Sequence, residues 1–223
     1  MNEFKDVKKL FKTTISEILN TQGTNEALNE SAFPAYANKN PLIDSLFWYR
    51  VEYSYNYLLK NSSTVFDFGC GSGVLSYALA QKNIDVTAFD LTLAPINIIK
   101  DKISFPKNIS FIEGGLTELK AIEENKFDSI AALDVFEHIT DLEPYIKVFK
   151  KILKPGGFII ASGPTENWLY KMGRKIAGKD YSGDYHETNI IDVRTSLEKI
   201  AEVKKLKIIY PLLPLFEIFI VKF

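Results

Sequence analysis

Apolar residues recur at helical spacing near the start of the chain. Phe4, Val7, Phe11, Ile15, Ile18 and Leu19 form one stripe with lysines between them, which predicts an amphipathic helix. Glycine, asparagine and proline interrupt the pattern over residues 21–41. A second helix is predicted over 42–59, where Leu46, Phe47, Trp48, Val51, Tyr55, Leu58 and Leu59 supply apolar mass.

From residue 64 the period changes. Short apolar runs at 64–68, 84–89, 109–112, 127–133 and 157–162 read as strands, with helices between them at 74–81, 91–100 and 139–153. Pro144 lies inside the last of these helices, so its start falls later if proline opens it. Strand–helix alternation at this spacing predicts a mostly parallel sheet covered on both faces. Residues 164–190 are polar, aromatic and glycine-containing, which suits a cover over a site. Asp192 offers an N-cap to a helix carrying Val193, Leu197, Ile200 and Ala201. Strands over 203–210 and 215–222 then flank a proline-containing turn and predict a closing antiparallel pair. The predicted fold is α/β and Rossmann-like: seven strands with an antiparallel terminal strand, and a helical appendage over 1–60 before a main domain over 61–223.

Composition narrows the functional classes. The 223 residues carry a formal net charge of −1 with scattered basic residues, so no footprint for a nucleic-acid backbone is expected. The single cysteine, Cys70, excludes an intramolecular disulfide and suits a reducing, cytoplasmic setting. Residues 1–10 mix charges without an apolar core, and the apolar run at 208–221 is short and carries Pro211, Pro214 and Glu217. Neither a signal peptide nor a membrane span is expected. The lysines of the first helix are read as a solvated face in preference to a peripheral membrane contact. No metal-ligand spacing stands out.

The chemistry concentrates after the first predicted strand. Gly69, Gly71 and Gly73 alternate with Cys70 and Ser72 at a strand-to-helix turn. Glycines there let the backbone approach a ligand, and the helix N-terminus presents free N–H groups to an anionic group. A dinucleotide fingerprint needs its third glycine one position later, where Val74 stands. Asp90 closes the second strand, where an acid can accept ribose hydroxyls; taken alone it reads equally as a solvated loop aspartate, and the glycine loop beside it favours the first reading. Asp67, embedded in the first strand, is expected to orient the loop.

Val65-Phe66-Asp67-Phe68-Gly69-Cys70-Gly71-Ser72-Gly73 resembles motif I of the class I methyltransferases. Residues 132–139 (Ala-Leu-Asp-Val-Phe-Glu-His-Ile) resemble their fourth-strand signature, and residues 153–160 resemble the turn into their fifth strand. The resemblance implies S-adenosylmethionine (SAM) as cofactor, and the glycine spacing favours it over a dinucleotide. It implies that the loop holds the methionine end, Asp90 the ribose, and the backbone near Leu133 and Asp134 the amino group. One departure stands out: Gly115 occupies the position where relatives carry an acid against adenine. Base recognition then falls to the backbone at Gly115 and Leu116, or to Thr117 or Glu118.

The expected activity is methyl transfer to a small-molecule or glycan-like acceptor, with oxygen ahead of nitrogen or carbon. If a general base is used, His186 in the predicted cover is the preferred candidate, although a capping or bracing role in that loop is weighed slightly ahead of it. For His138 a structural or cofactor-side role is preferred to proton transfer. For the cluster Phe47-Trp48-Tyr49-Arg50, core packing is preferred to a lid over cofactor and substrate in which Arg50 meets a carboxylate or phosphate. The rival classes are an NAD(P)-dependent oxidoreductase and a SAM-binding module without catalysis.

Overall fold

In the computed structural model the first apolar stripe is buried: Phe11 and Ile15 are fully enclosed, with Phe4 and Ile18 nearly so. Complete burial of one such side chain contributes about 1.5–3 kcal/mol, enough to fix the orientation of the helix that carries it. The structure describes residues 3–23, 28, 33–165, 189–210 and 214–223. They fall into two compact units, Met1–Glu118 and Leu119–Phe223.

The first unit opens with α1 (Glu3–Gln22), a single turn α2 (Phe33–Tyr36) and α3 (Pro41–Asn61). Asn40 caps α3 by accepting the Leu42 N–H, and Pro41 opens it where no N–H is needed. Three parallel strands follow, β1 (Thr64–Phe68), β2 (Asp85–Asp90) and β3 (Ile109–Glu113), alternating with α4 (Val74–Ala80) and α5 (Ala94–Lys100). A short α6 (Leu116–Lys120) comes next. Helix α5 starts later than the apolar pattern predicts because Pro95 sits in its first turn.

Of the cluster on α3, Trp48 and Arg50 are core, Phe47 is half-buried and Tyr49 is exposed. Trp48 is buried and donates its indole N–H to the Tyr36 carbonyl at 3.2 Å. Arg50 is buried too, donates to the Phe47 carbonyl, and lies over the Phe47 ring at 4.6 Å. Two lysines of the α1 polar face are engaged: Lys8 and Lys12 reach the Asp44 carboxylate at 2.6 and 2.5 Å. Those two lysines hold the Asp44 pKa below its ordinary value despite partial burial.

The second unit contains β4 (Phe127–Leu133), a 3-10 turn (Phe136–His138), α7 (Glu143–Ile152), β5 (Leu153–Pro164), α8 (Ile190–Leu197), β6 (Glu202–Ile209) and β7 (Phe216–Lys222). Pro144 stands in the first turn of α7, which explains the late start. Strand β4 runs parallel to β5, whereas β7 pairs antiparallel with both β5 and β6. The seven strands take the order β3-β2-β1-β4-β5-β7-β6, the mixed sheet with an antiparallel terminal strand that the pattern predicts. Strand β6 ends the sheet, exposes Lys204, Lys205 and Lys207, and shifts register between Lys205 and Lys207.

One cap is corrected. Asn189, not Asp192, is the N-cap of α8: its side chain accepts the Ile191 and Asp192 N–H groups. The buried stripe is Ile190, Val193 and Leu197, while Ile200 is 54% exposed beyond the helix end. A buried ion pair fastens this helix, with Arg194 Nε 2.5 Å from the Glu217 carboxylate on β7. Most of the predicted cover, including His186, lies outside the described residues, as does part of the turn before β7.

Candidate functional site

The turn from β1 into α4 is set by backbone conformation. Gly69, Gly71 and Gly73 have φ of 73°, 52° and 75°, the left-handed region that costs other L-residues roughly 1–2 kcal/mol each. At Gly73 space is a second constraint: a Cβ there would stand 2.6 Å from Ile96 Cδ1 and 3.1 Å from the Phe105 ring. The Gly69 and Cys70 N–H groups donate to the Phe89 carbonyl, which ties the loop to β2. The Gly71 N–H donates to Asp90 Oδ2 at 2.7 Å.

Two acids therefore organise the loop. Burial raises the Asp90 pKa, against the backbone N–H groups of Gly71, Thr92 and Leu91, which lower it. Beneath the loop Asp67 is buried and accepts the Ser76 hydroxyl at 2.5 Å. Burial pushes the Asp67 carboxyl up to about 6, opposed by the Ser76 hydrogen bond and reinforced by the Asp90 charge. Burial also raises the Cys70 thiol well above its ordinary range, with Asp67 and Asp90 adding to the effect. Cys70 is thus a packed thiol at neutral pH.

The Asp67 shift has a defined consequence. Its folded-state pKa lies above the ordinary 3.8, so the folded protein holds this proton more tightly than the unfolded chain does. That contribution is complete below pH 3.8 and is lost as pH rises through about 6, an order-of-magnitude change of about 3 kcal/mol. Asp67→Asn keeps an acceptor for Ser76 without the charge. Urea unfolding of the ligand-free protein at pH 5 and pH 8 is expected to show a smaller fall in stability for the variant. It should also be more stable at pH 8 by about 1–2 kcal/mol; identical pH slopes would contradict this assignment.

Around Asp90 the strand ends form an open edge. Glu113 on β3 accepts the Leu93 N–H at 2.6 Å, and Leu91 is 76% exposed. Gly115 is outside the left-handed region, and a Cβ there would meet only Leu91 Cδ2 and Glu118 Oε2, each at 4.0 Å. Glu118 curls back over this segment, its Oε2 accepting the Gly115 N–H at 2.7 Å. A side chain at Gly114 would collide with it. Leu116 begins α6 half-buried. The structure thus brings Asp67, Gly69, Cys70, Gly71, Gly73, Asp90, Gly115 and Leu116 together in one unit. Leu91, Glu113 and Ser76 join them, and an exposed leucine directly after the predicted ribose acid was the available signal for the first.

In the second unit, Leu133 and Asp134 end β4. Asp134 has φ 59°, which a non-glycine residue adopts at a cost of about 1–3 kcal/mol. Ser162 on β5 holds it: the Asp134 N–H donates to the Ser162 carbonyl at 2.8 Å, and the Ser162 hydroxyl to Asp134 Oδ1 at 3.2 Å. His138 is exposed and Glu137 fully buried, its carboxylate 3.1 Å from where a Gly163 Cβ would stand. A groove of about 510 Å³ between α7 and α8 includes none of the predicted site residues. Among the described residues no group of three metal-ligating side chains occurs, and no helix is long and apolar enough to cross a membrane.

Glycines at positive φ after β1, an acid closing β2 and a mixed seven-stranded sheet are the features in which the chain is similar to known methyltransferases. The family model described as a methyltransferase domain matches residues 66–161. Among curated proteins it is 33% identical over 118 residues to the ubiquinone biosynthesis O-methyltransferase of Xylella fastidiosa, covering 51% of this chain and 46% of that one. It is 29% identical over 147 residues to the enzyme of that name from Stutzerimonas stutzeri, covering 62% and 57%. The chain therefore spans about half the length of the curated relatives it matches. Among solved structures, magnesium protoporphyrin IX methyltransferase from Synechocystis with bound SAH (S-adenosylhomocysteine) aligns with a TM-score of 0.61 at 18% identity. That alignment covers 94% of this chain and 98% of the other, and it shows the shared fold.

Proposed function

We propose that this protein is a SAM-dependent methyltransferase that methylates an oxygen of a small-molecule acceptor. The observation that carries the reading is the Gly69–Gly73 loop with its Gly71 N–H held by the Asp90 carboxylate. The residues present fit the cofactor. Glycines without side chains let the methionine end of a ligand approach the loop and the N-terminus of α4, and Asp90 retains acceptor capacity toward ribose hydroxyls. Exposed Leu91 offers an apolar wall to a flat base, and Glu118 supplies an acid from one turn later than Gly115. When bound, SAM supplies an electrophilic methyl group on a sulfonium. The protein's own task is then alignment and exclusion of water, which is worth about 7–11 kcal/mol in well-oriented systems.

The preference for oxygen rests on the names of the curated relatives, and His186 is the general base we favour on sequence grounds. We read residues 1–60 as a helical appendage of the cofactor domain. The test is titration calorimetry with SAH and NAD, followed by transfer of labelled methyl from SAM to a panel of small-molecule hydroxyl acceptors. Saturable binding of SAH without binding of NAD, together with labelled ether product, is the expected result. Binding of NAD alone would overturn the cofactor reading. SAH binding with no transfer to any acceptor would favour a module that has lost catalysis.

A further inference from the structure

The glycine loop is braced from behind by an aromatic cluster that reaches it from α1. Phe11, fully buried, meets Tyr77 edge-to-face at 5.2 Å and Phe105 at 6.2 Å between ring centroids. Tyr77 and Phe105 meet each other at 5.5 Å, and Phe105 meets Phe111 of β3 at 5.4 Å. Both partners of Phe11 bear on Gly73. The Phe105 ring bounds the space where a Gly73 Cβ would stand, and the Tyr77 N–H donates to the Gly73 carbonyl at 2.9 Å. Aromatic rings in edge-to-face contact have few rotamers, so a change in the position of Phe11 bears on Tyr77 and Phe105.

Helix α1 is fastened on either side of this point by different means. Phe4 packs against Trp48 and Tyr55 at 6.3 and 5.2 Å, and Lys8 and Lys12 grip Asp44. Only Phe11, among these contacts, leads to the loop. We propose that Phe11 is a positioning residue for the cofactor loop, acting through Tyr77 and Phe105 on Gly73. Docking of α1 thereby sets cofactor affinity without touching cofactor. The inference rests on the reading of Gly69–Gly73 as a cofactor cradle, and it makes a separate claim about the ligand-free protein.

Phe11→Ala, the milder Phe11→Leu and the control Phe4→Leu are compared at a temperature well below the lowest Tm. SAH affinity is measured by calorimetry, and amide exchange is followed at Gly71 and Gly73, whose N–H groups donate to Asp90 and the Cys70 carbonyl. In Phe11→Ala, exchange at these two amides is expected to quicken about tenfold and SAH affinity to fall about five- to tenfold, as local opening requires. Phe11→Leu should show smaller changes in the same direction. Phe4→Leu should change both by less than about twofold, whatever its Tm, because it loosens α1 at a site that does not lead to the loop. Unchanged exchange in both Phe11 variants, or parallel changes in all three proteins that track Tm, would overturn the proposal. A wild type that ignores SAH would sink the cofactor reading alone, since the exchange rates still decide whether Phe11 braces the loop.

Discussion

Gly71→Val is expected to eliminate measurable SAH binding, a loss of at least about a hundredfold. At φ 52° the native backbone lies where a β-branched side chain is a severe outlier. Relaxing toward negative φ swings the Gly71 N–H away from Asp90 Oδ2, its partner at 2.7 Å. The loop loses its shape and one of its ties to β2 in one step, and the added side chain takes up space on the loop that a ligand would need. Gly156→Ala is the matched control. Gly156 has φ 79° with nothing within 4 Å of an added Cβ, so alanine there adds backbone strain of about 1–2 kcal/mol and nothing else. Calorimetry on both variants, with circular dichroism to establish folding, separates strain from loss of the cradle. Full affinity in a folded Gly71→Val protein would remove the loop from the site.

The second large effect is expected at Asp90. Asp90→Ala should weaken SAH binding by about 1.5–3 kcal/mol through loss of charge-assisted hydrogen bonds. The carboxylate has two roles here, since it also receives the Gly71 N–H and the backbone N–H groups of Leu91 and Thr92. Asp90→Asn distinguishes them. Its amide oxygen can still accept the Gly71 N–H and so keep that tie of the loop, while its amide nitrogen donates where a carboxylate oxygen accepted. Loss of affinity in both variants assigns the oxygen atoms to ligand; loss in alanine alone assigns them to the loop. Wild-type affinity in both would place the ribose elsewhere.

These sites were legible to different degrees. The Gly69–Gly73 loop and Asp90 could be read because the turn from β1 demands glycine at fixed positions, whatever packs around it. Capping of α8 was misread because a stripe beginning at Val193 hides the buried Ile190 three residues earlier, and Asn189 is as good a cap as Asp192. The turns α2 and α6 carry too few residues for any period to register. Asp134 gives no sign of its left-handed backbone, since Ser162, on another strand, enforces it. The cluster at Phe11 reads as one more core position of an amphipathic helix. Its partners Tyr77 and Phe105 are brought to it only by the folded chain.

The lysines at the end of the sheet bear on what the protein does at high concentration. A terminal strand offers unpaired N–H and C=O groups to any strand that drifts alongside, and long apolar edges seed aggregation that way. Strand β6 presents Lys204, Lys205 and Lys207 instead, and its register shift interrupts the flat ladder a newcomer would need. A second chain adding there would have to bring acidic residues into register across an irregular edge. At this edge, then, three side chains remote in sequence from the glycine loop disfavour the addition of a further strand.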